Sequence, residues 1–410
     1  MRIAIDATLL RKENTGTGFY IINLINGLLK IDGKTENKTS DIINNNKGDD
    51  KDSHNEYYVI LNERDSENFF DFSKTKNFFI VDKKFNSRIE RVLWQFFLLP
   101  FELKNYKIDV LHSPNYITPL IKHGLKIIVT IHDLTFLIFP EKFTITKRLF
   151  FRFFVPRFIK KADKIIAVSN NTKKDILNFF KVNEDKIEVT YESIPEYYYK
   201  REENIEDKRS DNISETRDRD EDRNILKKYG IEKKFILFVG MIEPRKNVLN
   251  ILKAYKKIEK DLDADLVIVG KKGWYFKEIE EYFERAKEEG LKNKIIFTGY
   301  VSEPKLKYFY KNAFIFVYPS IYEGFGLPPL QAMASGIPVI TSNSSSIPEV
   351  VGDAAIKINP ENVDELADAI MQLYSDFNKR EGLVKNGLLQ ASKFSIENFA
   401  ENTLKVYLSV

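Results

Sequence analysis

Short apolar runs of four to six residues alternate with helix-length amphipathic stretches along the chain, and this alternation constrains the fold most strongly. It is the pattern of parallel sheets covered by helices on both faces. A chain of 410 residues is too long for one ordinary core, so we predict two α/β domains. The predicted strands are Ile3–Asp6, Tyr57–Leu61, Phe78–Val81, Asp109–His112, Ile127–Ile131, Lys164–Val168, Ile187–Thr190, Phe235–Val239, Asp265–Val269, Ile295–Thr298, Phe314–Val317, Ile337–Thr341 and Ala355–Ile358.

Two polar stretches interrupt the pattern and indicate the domain boundaries. Residues 1–195 are predicted to form the first domain, with a loop-like polar insertion at about 32–55. Residues 196–230 read as a charged linker, because they contain hardly any large apolar residue that could bury surface. The second domain covers 231–393, and 394–410 form a closing helix capped by Ser395.

Charge and composition exclude several classes of function. Lys and Arg number 64 against 60 Asp and Glu, a balance that argues against a nucleic-acid partner. The chain has no Cys, so it has neither disulfides nor a cysteine nucleophile. No secretory signal or membrane-spanning run is evident in the sequence. We therefore expect a cytoplasmic protein, or one bound peripherally to the inner face of the membrane.

A glycine-containing turn between a strand and a helix is the densest chemical signal. It runs from Glu323 through Gly324, Phe325, Gly326 and Leu327 into a helix that has prolines in its first turn. Backbone N–H groups at such a helix start favour an anion such as a pyrophosphate. The Gly-Phe-Gly triplet taken alone is equally compatible with a plain strand–turn–helix corner.

The whole run Ser320–Val339 closely resembles the signature of the family-four retaining glycosyltransferases, which have the GT-B fold. The resemblance implies two Rossmann-like α/β domains facing across a cleft, with the C-terminal helix crossing back to the N-terminal domain. It also implies that Glu323 contacts hydroxyls of the donor sugar and that the turn backbone faces the diphosphate. Gln331 stands where the family has an acid that holds the ribose. Its amide can still form hydrogen bonds, without the charge.

Two adjacent cations, Arg245 and Lys246, follow the first strand of the second domain and the glycine Gly240. Ligands of open α/β sheets bind outside the carboxyl ends of the strands, so this position suits a diphosphate. The resemblance assigns both cations to the phosphates of the leaving nucleotide, in place of a metal, and we expect no cofactor or metal. The pair Asp263 and Asp265 mimics a metal-binding motif but precedes a strand.

Further pocket residues are suggested by position and resemblance, although each could belong to an ordinary turn. Lys271, Tyr300 and Val301 follow two later strands, where the family builds its donor pocket. Residues 16–18, after the first strand, match a loop that borders the acceptor and the diphosphate: Gly16 and Gly18 on the donor side, Thr17 on the acceptor side. A third glycine is missing, which disfavours a nicotinamide cofactor.

Two of the four histidines, His112 and His132, end predicted strands of the first domain. A single histidine is more often structural, but two at one sheet edge indicate a site. By resemblance His132 lies near the reacting sugar carbon. We expect Asp133 to orient it or the acceptor, and His112 to lie on the acceptor side. Ser169 is expected to cap a helix first, and to border the acceptor second.

Two stretches, Ser87–Lys104 and Thr144–Lys161, combine Arg and Lys with many aromatic residues. Helices of this kind can lie on an anionic membrane, which would suit a lipid-linked acceptor. They can equally be core helices of a Phe-rich protein. Both interpretations remain open from the sequence.

These observations predict a metal-independent retaining glycosyltransferase that transfers a hexose from a nucleotide diphosphate sugar, with GDP-mannose as the expected donor. The acceptor is expected to be a glycan or lipid-linked saccharide in polysaccharide or lipopolysaccharide assembly. A nucleotide-sugar epimerase of the same fold, a phosphorylase and a non-catalytic nucleotide-sugar-binding protein are the alternatives. Conversion of the donor alone into a new nucleotide sugar would favour the epimerase, and donor hydrolysis would exclude the binding protein.

Overall fold

The computed structural model describes residues 1–11, 16–42, 55–62, 70, 72, 75–199, 224–273 and 276–410, with side chains omitted for 33–42 and 142. The chain divides into two compact units. The first contains Met1–Ser193 together with Phe394–Val410, and the second contains Ile194–Lys393. No helix in the described ranges is both long and apolar enough to cross a bilayer.

The first unit is built on a seven-stranded parallel sheet with the order β3-β2-β1-β4-β5-β6-β7. The central strand β1 pairs with β2 on one side and β4 on the other, so that Ile3 lies opposite Tyr57 and Val110. Apolar side chains from both faces of the sheet are buried, as expected for strands covered on two sides. The strands are β1 Arg2–Asp6, β2 Glu56–Asn62, β3 Phe78–Lys83, β4 Val110–Ser113, β5 Lys126–Ile131, β6 Lys164–Ala167 and β7 Ile187–Val189.

Helices cover both faces of this sheet. A π-helical turn, Trp94–Leu98, joins two of them, α2 and α3. The helices are α1 Gly16–Ile42, α2 Arg88–Leu93, α3 Leu99–Asn105, α4 Thr135–Ile138, α5 Ile145–Lys161 and α6 Asn170–Phe179.

The second unit has a six-stranded parallel sheet with the order β10-β9-β8-β11-β12-β13. Its strands are β8 Phe235–Val239, β9 Asp265–Val269, β10 Ile295–Gly299, β11 Ile315–Tyr318, β12 Val339–Ser342 and β13 Ile356–Ile358. Its helices are α7 Val248–Ile258, α8 Phe276–Glu288, α9 Glu303–Asn312, α10 Leu327–Ala334, α11 Ile347–Val351, α12 Val363–Ser375 and α13 Phe377–Ala391.

Each sheet has a position where the strand order reverses, between β1 and β4 in the first unit and between β8 and β11 in the second. Loops leaving neighbouring strands diverge at such a switch point and leave a crevice for a ligand at the carboxyl edge. The segments that follow these four strands are therefore the candidate ligand-binding segments of the two units.

The last helix, α14 Ile396–Leu408, packs on α1 in the first unit. Gly27 of α1 permits the contact, because a Cβ there would lie 2.8 Å from the Cβ of Ala400 and 2.8 Å from the carbonyl oxygen of Ile396. The chain thus returns from the second unit to the first, as predicted from the resemblance.

The two polar stretches are more ordered at their ends than the sequence predicted. Helix α1 continues to Ile42, well into the predicted loop. The side chain of Asp32 accepts hydrogen bonds from Thr75 and Asn77, each 3.1 Å long, which tie this part of α1 to the segment before β3. Residues 43–54 lie outside the described ranges.

The predicted linker begins with a 3-10 turn, Glu196–Tyr198, in which Tyr198 is buried. The hydroxyl of Tyr199 donates to the carbonyl oxygen of Ala391 at 3.1 Å, which ties this segment to the second unit. Residues 200–223, the most charged part of the predicted linker, lie outside the described ranges.

Candidate functional site

The glycine turn follows β11 and leads into α10. Gly326 has φ +123°, a backbone conformation that strains any other residue. A Cβ added at this position would also lie only 2.8 Å from the side chain of Ile347. Two serines after β12 hold the turn. Ser346 donates to the carbonyl oxygens of Glu323 (3.0 Å) and Phe325 (2.6 Å). Ser345 accepts from the Glu323 amide at 2.9 Å. These serine contacts therefore hold the backbone conformation of the turn.

Arg245 and Lys246 end a 3-10 turn after β8 and reach the glycine turn across the switch point. The Arg245 guanidinium donates to Glu323 Oε2 at 2.9 Å, and the Lys246 ammonium contacts Glu323 Oε1. Arg245 also forms an ion pair with Glu243. The fold thus assembles two cations and two carboxylates, from residues far apart in sequence, into one cluster.

The cluster is largely withdrawn from water. The side chains of Lys246 and Glu323 are 8% and 10% exposed, and that of Arg245 is 18% exposed. Burial alone would raise the pKa of Glu323, but the charges of Arg245 and Lys246, with hydrogen bonds from Lys246 and Ser320, lower this pKa to about 2. Burial lowers the pKa of Lys246, against the opposing charge of Glu323. Glu323 is ionised at neutral pH.

Three residues of this cluster were not predicted from the sequence: Tyr318, Ser320 and Glu243. The Tyr318 hydroxyl lies 2.6 Å from the Lys246 ammonium and donates to Glu323 Oε1 at 2.9 Å. Ser320 donates to the same oxygen at 2.6 Å. Their position at the end of β11, directly before the glycine turn, is the sequence signal that could have identified Tyr318 and Ser320.

Gln331 lies on α10 and is 9% exposed. Its side-chain oxygen accepts a hydrogen bond of 3.1 Å from the hydroxyl of Tyr310, on α9. The contact fixes the rotamer of the Gln331 amide. Phe325 is also buried, whereas Leu327 at the start of α10 is partly exposed.

The other expected donor-side residues lie at the same carboxyl edge of the second sheet. Lys271 follows β9 and Tyr300 follows β10, and the Lys271 ammonium lies 4.4 Å from the centre of the Tyr300 ring. Tyr300 is exposed while Val301 is buried beside it. Gly240 follows β8, and its amide donates a hydrogen bond of 2.9 Å to the Val269 carbonyl oxygen.

The two acids that mimic a metal-binding motif, Asp263 and Asp265, lie at the opposite edge of the second sheet, beside Lys233.

In the first unit, His132 at the end of β5 has partners on both ring nitrogens. Nδ1 lies 2.9 Å from Glu192 Oε1, and Nε2 lies 3.0 Å from the carbonyl oxygen of Pro114. Both partners accept hydrogen bonds, so an imidazolium satisfies the geometry best. Burial alone would lower the pKa of His132, but the bond and charge of Glu192 and the Pro114 carbonyl give a net increase in this pKa. The contacts of His132 therefore favour its protonated form.

Glu192 was missed by the sequence reasoning, which named Asp133 as the residue that orients His132 or the acceptor. Asp133 accepts from the Thr135 amide at 2.9 Å and from the Tyr116 hydroxyl at 3.3 Å, and its charge adds to the increase in the pKa of His132. Glu192 follows β7, two strands from His132, and no local motif marks it.

His112 differs from the acceptor-side expectation. It is fully buried, with Nδ1 2.7 Å from the Tyr407 hydroxyl and Nε2 2.8 Å from Thr130 Oγ1. Burial and the nearby charge of His132 lower its pKa to about 3, so it is neutral. Helix α14 covers this strand end with Tyr407, which places His112 in the core and not on a surface open to an acceptor.

The remaining expected residues of this unit lie near strand ends. Ser169 is buried and accepts from the Thr172 amide at 3.0 Å, so the predicted helix cap is confirmed. Gly16 begins α1, and a Cβ added there would have no described atom within 4 Å. Thr17 is partly exposed and Gly18 is buried. Residues 12–15, just before them, lie outside the described ranges.

The chain matches two family models and resembles several curated proteins. A model described as glycosyl transferases group 1 matches residues 218–390, and one described as glycosyltransferase family 4 matches residues 53–195. O-antigen chain mannosyltransferase B of Escherichia coli is 33% identical over 309 residues, which cover 74% of this chain and 75% of that protein. O-antigen chain mannosyltransferase RfbU of Salmonella typhimurium is 29% identical over 278 residues, covering 64% and 69% respectively.

Solved structures resemble the whole chain at lower identity. Anabaena HepE, in complex with UDP and glucose, has a TM-score of 0.68 and 14% identity, with 100% of both chains covered. WaaG, a glycosyltransferase involved in lipopolysaccharide biosynthesis, has a TM-score of 0.66 and 15% identity, covering 98% of this chain and 99% of that one. At these identities the likeness concerns the fold.

Proposed function

The chain belongs to the group 1 glycosyltransferases, and we propose that it transfers a hexose from a nucleotide diphosphate sugar with retention of the anomeric configuration and without a metal ion. Its GT-B fold class agrees with the expectation from the sequence. The observation that carries the proposal is the convergence of Arg245, Lys246 and Glu323 at the switch point of the second sheet.

In this proposal the two cations bind the donor diphosphate and stabilise the negative charge that grows on the leaving nucleotide. Preorganised charges aimed at developing charge typically make the largest contribution to catalysis. Glu323 contacts both cations, so a diphosphate would compete with its carboxylate for them. Release of the Glu323 carboxylate makes it available to the hydroxyls of the donor sugar. The cations take the role that a divalent metal has in other transferases.

GDP-mannose is the donor that we propose. The support is the set of relatives named as mannosyltransferases, at 33% and 29% identity. Because HepE is described with UDP and glucose, a uridine donor is the natural competitor in any test. Retention rests on the likeness of the Glu323–Gln331 segment to the retaining family.

We further propose that the acceptor is a glycan or lipid-linked saccharide and that the first unit meets an anionic bilayer. Core packing accounts for Trp94, Phe96 and Phe158, which are buried. An apolar stripe of four residues at four-residue spacing remains exposed on α2, the π-helical turn and α3: Ile89, Leu93, Phe97 and Phe101. Helix α5 also exposes apolar residues, Ile145, Leu149 and Phe153, and it carries Lys and Arg but no Asp or Glu. Cations beside exposed apolar groups match an anionic lipid surface.

The transfer reaction can be tested with purified protein and a panel of donors, namely GDP-mannose, UDP-glucose and dTDP-rhamnose. We expect nucleoside diphosphate release to be greatest with GDP-mannose and to persist in EDTA. Release abolished by EDTA and restored by Mg²⁺ or Mn²⁺ would refute metal independence. NMR of the product formed with an added mannosyl acceptor would show the anomeric configuration.

Substitution of the cations tests their role in turnover. Arg245→Ala and Lys246→Ala should each lower kcat by about a hundredfold, the usual effect of losing a charge partner in the transition state. Lys233→Ala, at the opposite edge of the same sheet, is a matched control that should keep normal turnover. Normal turnover in a folded Arg245→Ala protein would overturn the assignment.

The membrane proposal is tested by co-sedimentation with vesicles of phosphatidylcholine alone or mixed with phosphatidylglycerol. Binding should require the anionic lipid and weaken at high salt, because salt screens surface charge. Phe97→Ser combined with Leu93→Ser should reduce binding. Equal sedimentation with both vesicle types, or with neither, would contradict the proposal.

A further inference from the structure

A cavity of about 380 Å³ lies in the first unit, between α4, α5 and the end of α6. Small-molecule sites typically have volumes of roughly 300–1,000 Å³, so the cavity is large enough to hold a ligand. Its lining includes Lys160 on α5 and Val182 after α6, which lie just before β6 and β7 begin. This part of the cavity is therefore at the amino edge of the sheet, whereas the candidate ligand-binding segments of the unit follow the carboxyl ends of β1 and β4.

The described lining contains only two kinds of side chain. Seven of its ten residues are apolar, and the other three are the cations Arg152, Lys160 and Lys181. None of the described lining residues has a neutral polar side chain that could bind a sugar hydroxyl or a peptide amide. A lining of hydrocarbon and positive charge matches an anionic amphiphile better than it matches a sugar, a nucleotide or a peptide.

Ring contacts hold the apolar wall of the cavity. The Phe151 ring packs on the ring of Phe136, with ring centres 4.7 Å apart, and on that of Phe143 at 6.0 Å. Phe180 and Val182 are partly buried against the same hydrophobic core. An alkyl chain that enters the cavity can therefore leave water and pack on a wall that is already formed.

The three cations supply the charge that an anionic head group requires. They are exposed, and within the described ranges the side chains of Arg152, Lys160 and Lys181 form no hydrogen bond or ion pair. Arg157, also on α5, differs from them, because its guanidinium donates to the carbonyl oxygen of Phe153. A phosphate can therefore contact the three cations without displacing a carboxylate from them.

The cavity adjoins the part of α5 that we propose to face a bilayer. Positions 152, 156 and 160 follow one another at four-residue spacing, so they share one face of the helix. The exposed apolar residues Ile145, Leu149 and Phe153 also have four-residue spacing and form a neighbouring row. A lipid at that surface can therefore reach the cavity.

We propose that this cavity binds one alkyl chain and the phosphate of an anionic phospholipid. The chain packs on the wall formed around Phe151, and the phosphate contacts Arg152, Lys160 and Lys181. The inference rests on the proposed contact of the first unit with an anionic bilayer, which supplies the lipid. It adds a specific lipid site to that contact, at a place separate from glycosyl transfer.

The binding test uses the full chain and dodecyl phosphate below its aggregation limit, with affinity measured by isothermal titration calorimetry at low ionic strength. Dodecylphosphocholine has the same chain and a head group without net charge, so it should bind about fivefold more weakly. Hexyl phosphate should bind at least about tenfold more weakly, because burial of each additional methylene group favours binding. Equal affinity for dodecyl phosphate and hexyl phosphate would show that the apolar wall is not used and would overturn the proposal.

Substitution of the cations tests the same site. Lys160→Gln and Lys181→Gln should each weaken binding of dodecyl phosphate about fivefold, since each removes a charge-assisted contact. Both side chains are exposed, so folding should persist, and circular dichroism checks it. Lys147→Gln is the matched control, because Lys147 is an exposed lysine of α5 outside the described lining, and it should bind as the wild type does. Binding that neither Lys160→Gln nor Lys181→Gln changes would refute the site.

Val182→Trp tests the cavity by filling it. This variant should abolish binding of dodecyl phosphate while donor hydrolysis stays normal, and thermal unfolding checks that it folds. It should also weaken sedimentation with vesicles of phosphatidylcholine and phosphatidylglycerol. Because dodecyl phosphate binds from solution, calorimetry decides the cavity independently of the vesicles. Failure of the wild type to sediment would count against the bilayer contact, whereas undiminished binding of dodecyl phosphate by folded Val182→Trp would overturn the cavity site.

Discussion

The carboxylate of Glu323 contacts the ammonium of Lys246, although the two residues are 77 positions apart in the sequence. The pair is buried, and the Lys246 ammonium also lies 2.6 Å from the Tyr318 hydroxyl. If either charged group is removed, the other remains buried with less opposing charge beside it. The residues that we assign to donor binding therefore also stabilise the second unit.

Breaking this pair should destabilise the second unit. We expect Lys246→Met to lower the free energy of unfolding by about 3 kcal/mol, as the loss of one partner of a buried ion pair commonly does. The double variant Lys246→Met with Glu323→Gln should lose less than the sum of the two single variants. Urea unfolding of the four proteins measures this coupling. Strictly additive losses would show that the contact contributes nothing.

The Glu323 pair also predicts a pH dependence of stability. The folded-state pKa of Glu323 is lowered from 4.5 to about 2, so its contribution is present above about pH 4.5 and is lost as the pH falls towards 2. The stability difference between wild type and Glu323→Gln should therefore be large at pH 7 and shrink between pH 4.5 and pH 2. Urea midpoints across this range would show the trend, and a constant difference would contradict it.

The sequence predicted the strands well because most are the apolar runs that parallel sheets covered on both faces require, although β3 and β10 at the sheet edges are only partly buried. All of the predicted strands occur, with ends displaced by at most two residues. The end of α1 was missed, because the sequence of 32–42 is polar and lacks the apolar periodicity that predicts a helix.

The site was predictable only where chemistry and chain position coincide. Arg245, Lys246 and Glu323 each follow a strand and carry a charge, and the fold brings them together. Glu192 also follows a strand, but its pairing with His132 depends on the order of strands in the sheet, which no local pattern reveals. The acceptor-side expectation for His112 also differs from the structure. The helix that covers His112 comes from the end of the chain, which no local pattern around His112 reveals.

Glu192 should control the protonation of His132. The folded-state pKa of His132 is raised above 6.5, so the pair stabilises the first unit below that pH, and the contribution is lost as the pH rises through the folded value. Glu192→Gln should lower the pKa of His132, seen in an NMR titration of the imidazole. Glu192→Gln should destabilise the first unit more at pH 6 than at pH 9. An unchanged His132 titration would show that the charge of Glu192 is not the cause.

The contact between α1 and α14 should depend on Gly27. A Cβ at this position meets the Ile396 carbonyl oxygen at 2.8 Å, and backbone cannot move aside cheaply. We expect Gly27→Ala to destabilise the first unit by about 2 kcal/mol, the usual cost of overpacking. Gly382→Ala is the matched control, since Gly382 is also helical and has nothing within 4 Å of an added Cβ. That substitution should be neutral or slightly stabilising. Equal melting temperatures for the two variants would contradict the close packing.

Glu323 and Gln331 should differ in the kinetic step that they affect. By resemblance Glu323 contacts the sugar as it develops positive charge, where a carboxylate helps more than an amide, so Glu323→Gln should mainly lower kcat. Gln331 is assigned to the ribose, whose contacts change little during the reaction, and uniform binding of this kind affects KM rather than kcat. Gln331→Ala should therefore mainly raise the donor KM. Gln331→Glu should be tolerated, because it keeps an acceptor oxygen for the Tyr310 hydroxyl and restores the acid of the family pattern.

Tyr310→Phe provides the control for Gln331. It removes the hydrogen bond that fixes the Gln331 amide but leaves the amide itself, so it should raise the donor KM less than Gln331→Ala does and leave kcat near normal. Donor-saturation kinetics on the four variants measure both constants. A deep loss of kcat in Gln331→Ala with an unchanged KM would place Gln331 with Glu323 at the reacting sugar. The observed separation of the two residues, one in the ion-pair cluster and the other against Tyr310, argues for distinct roles.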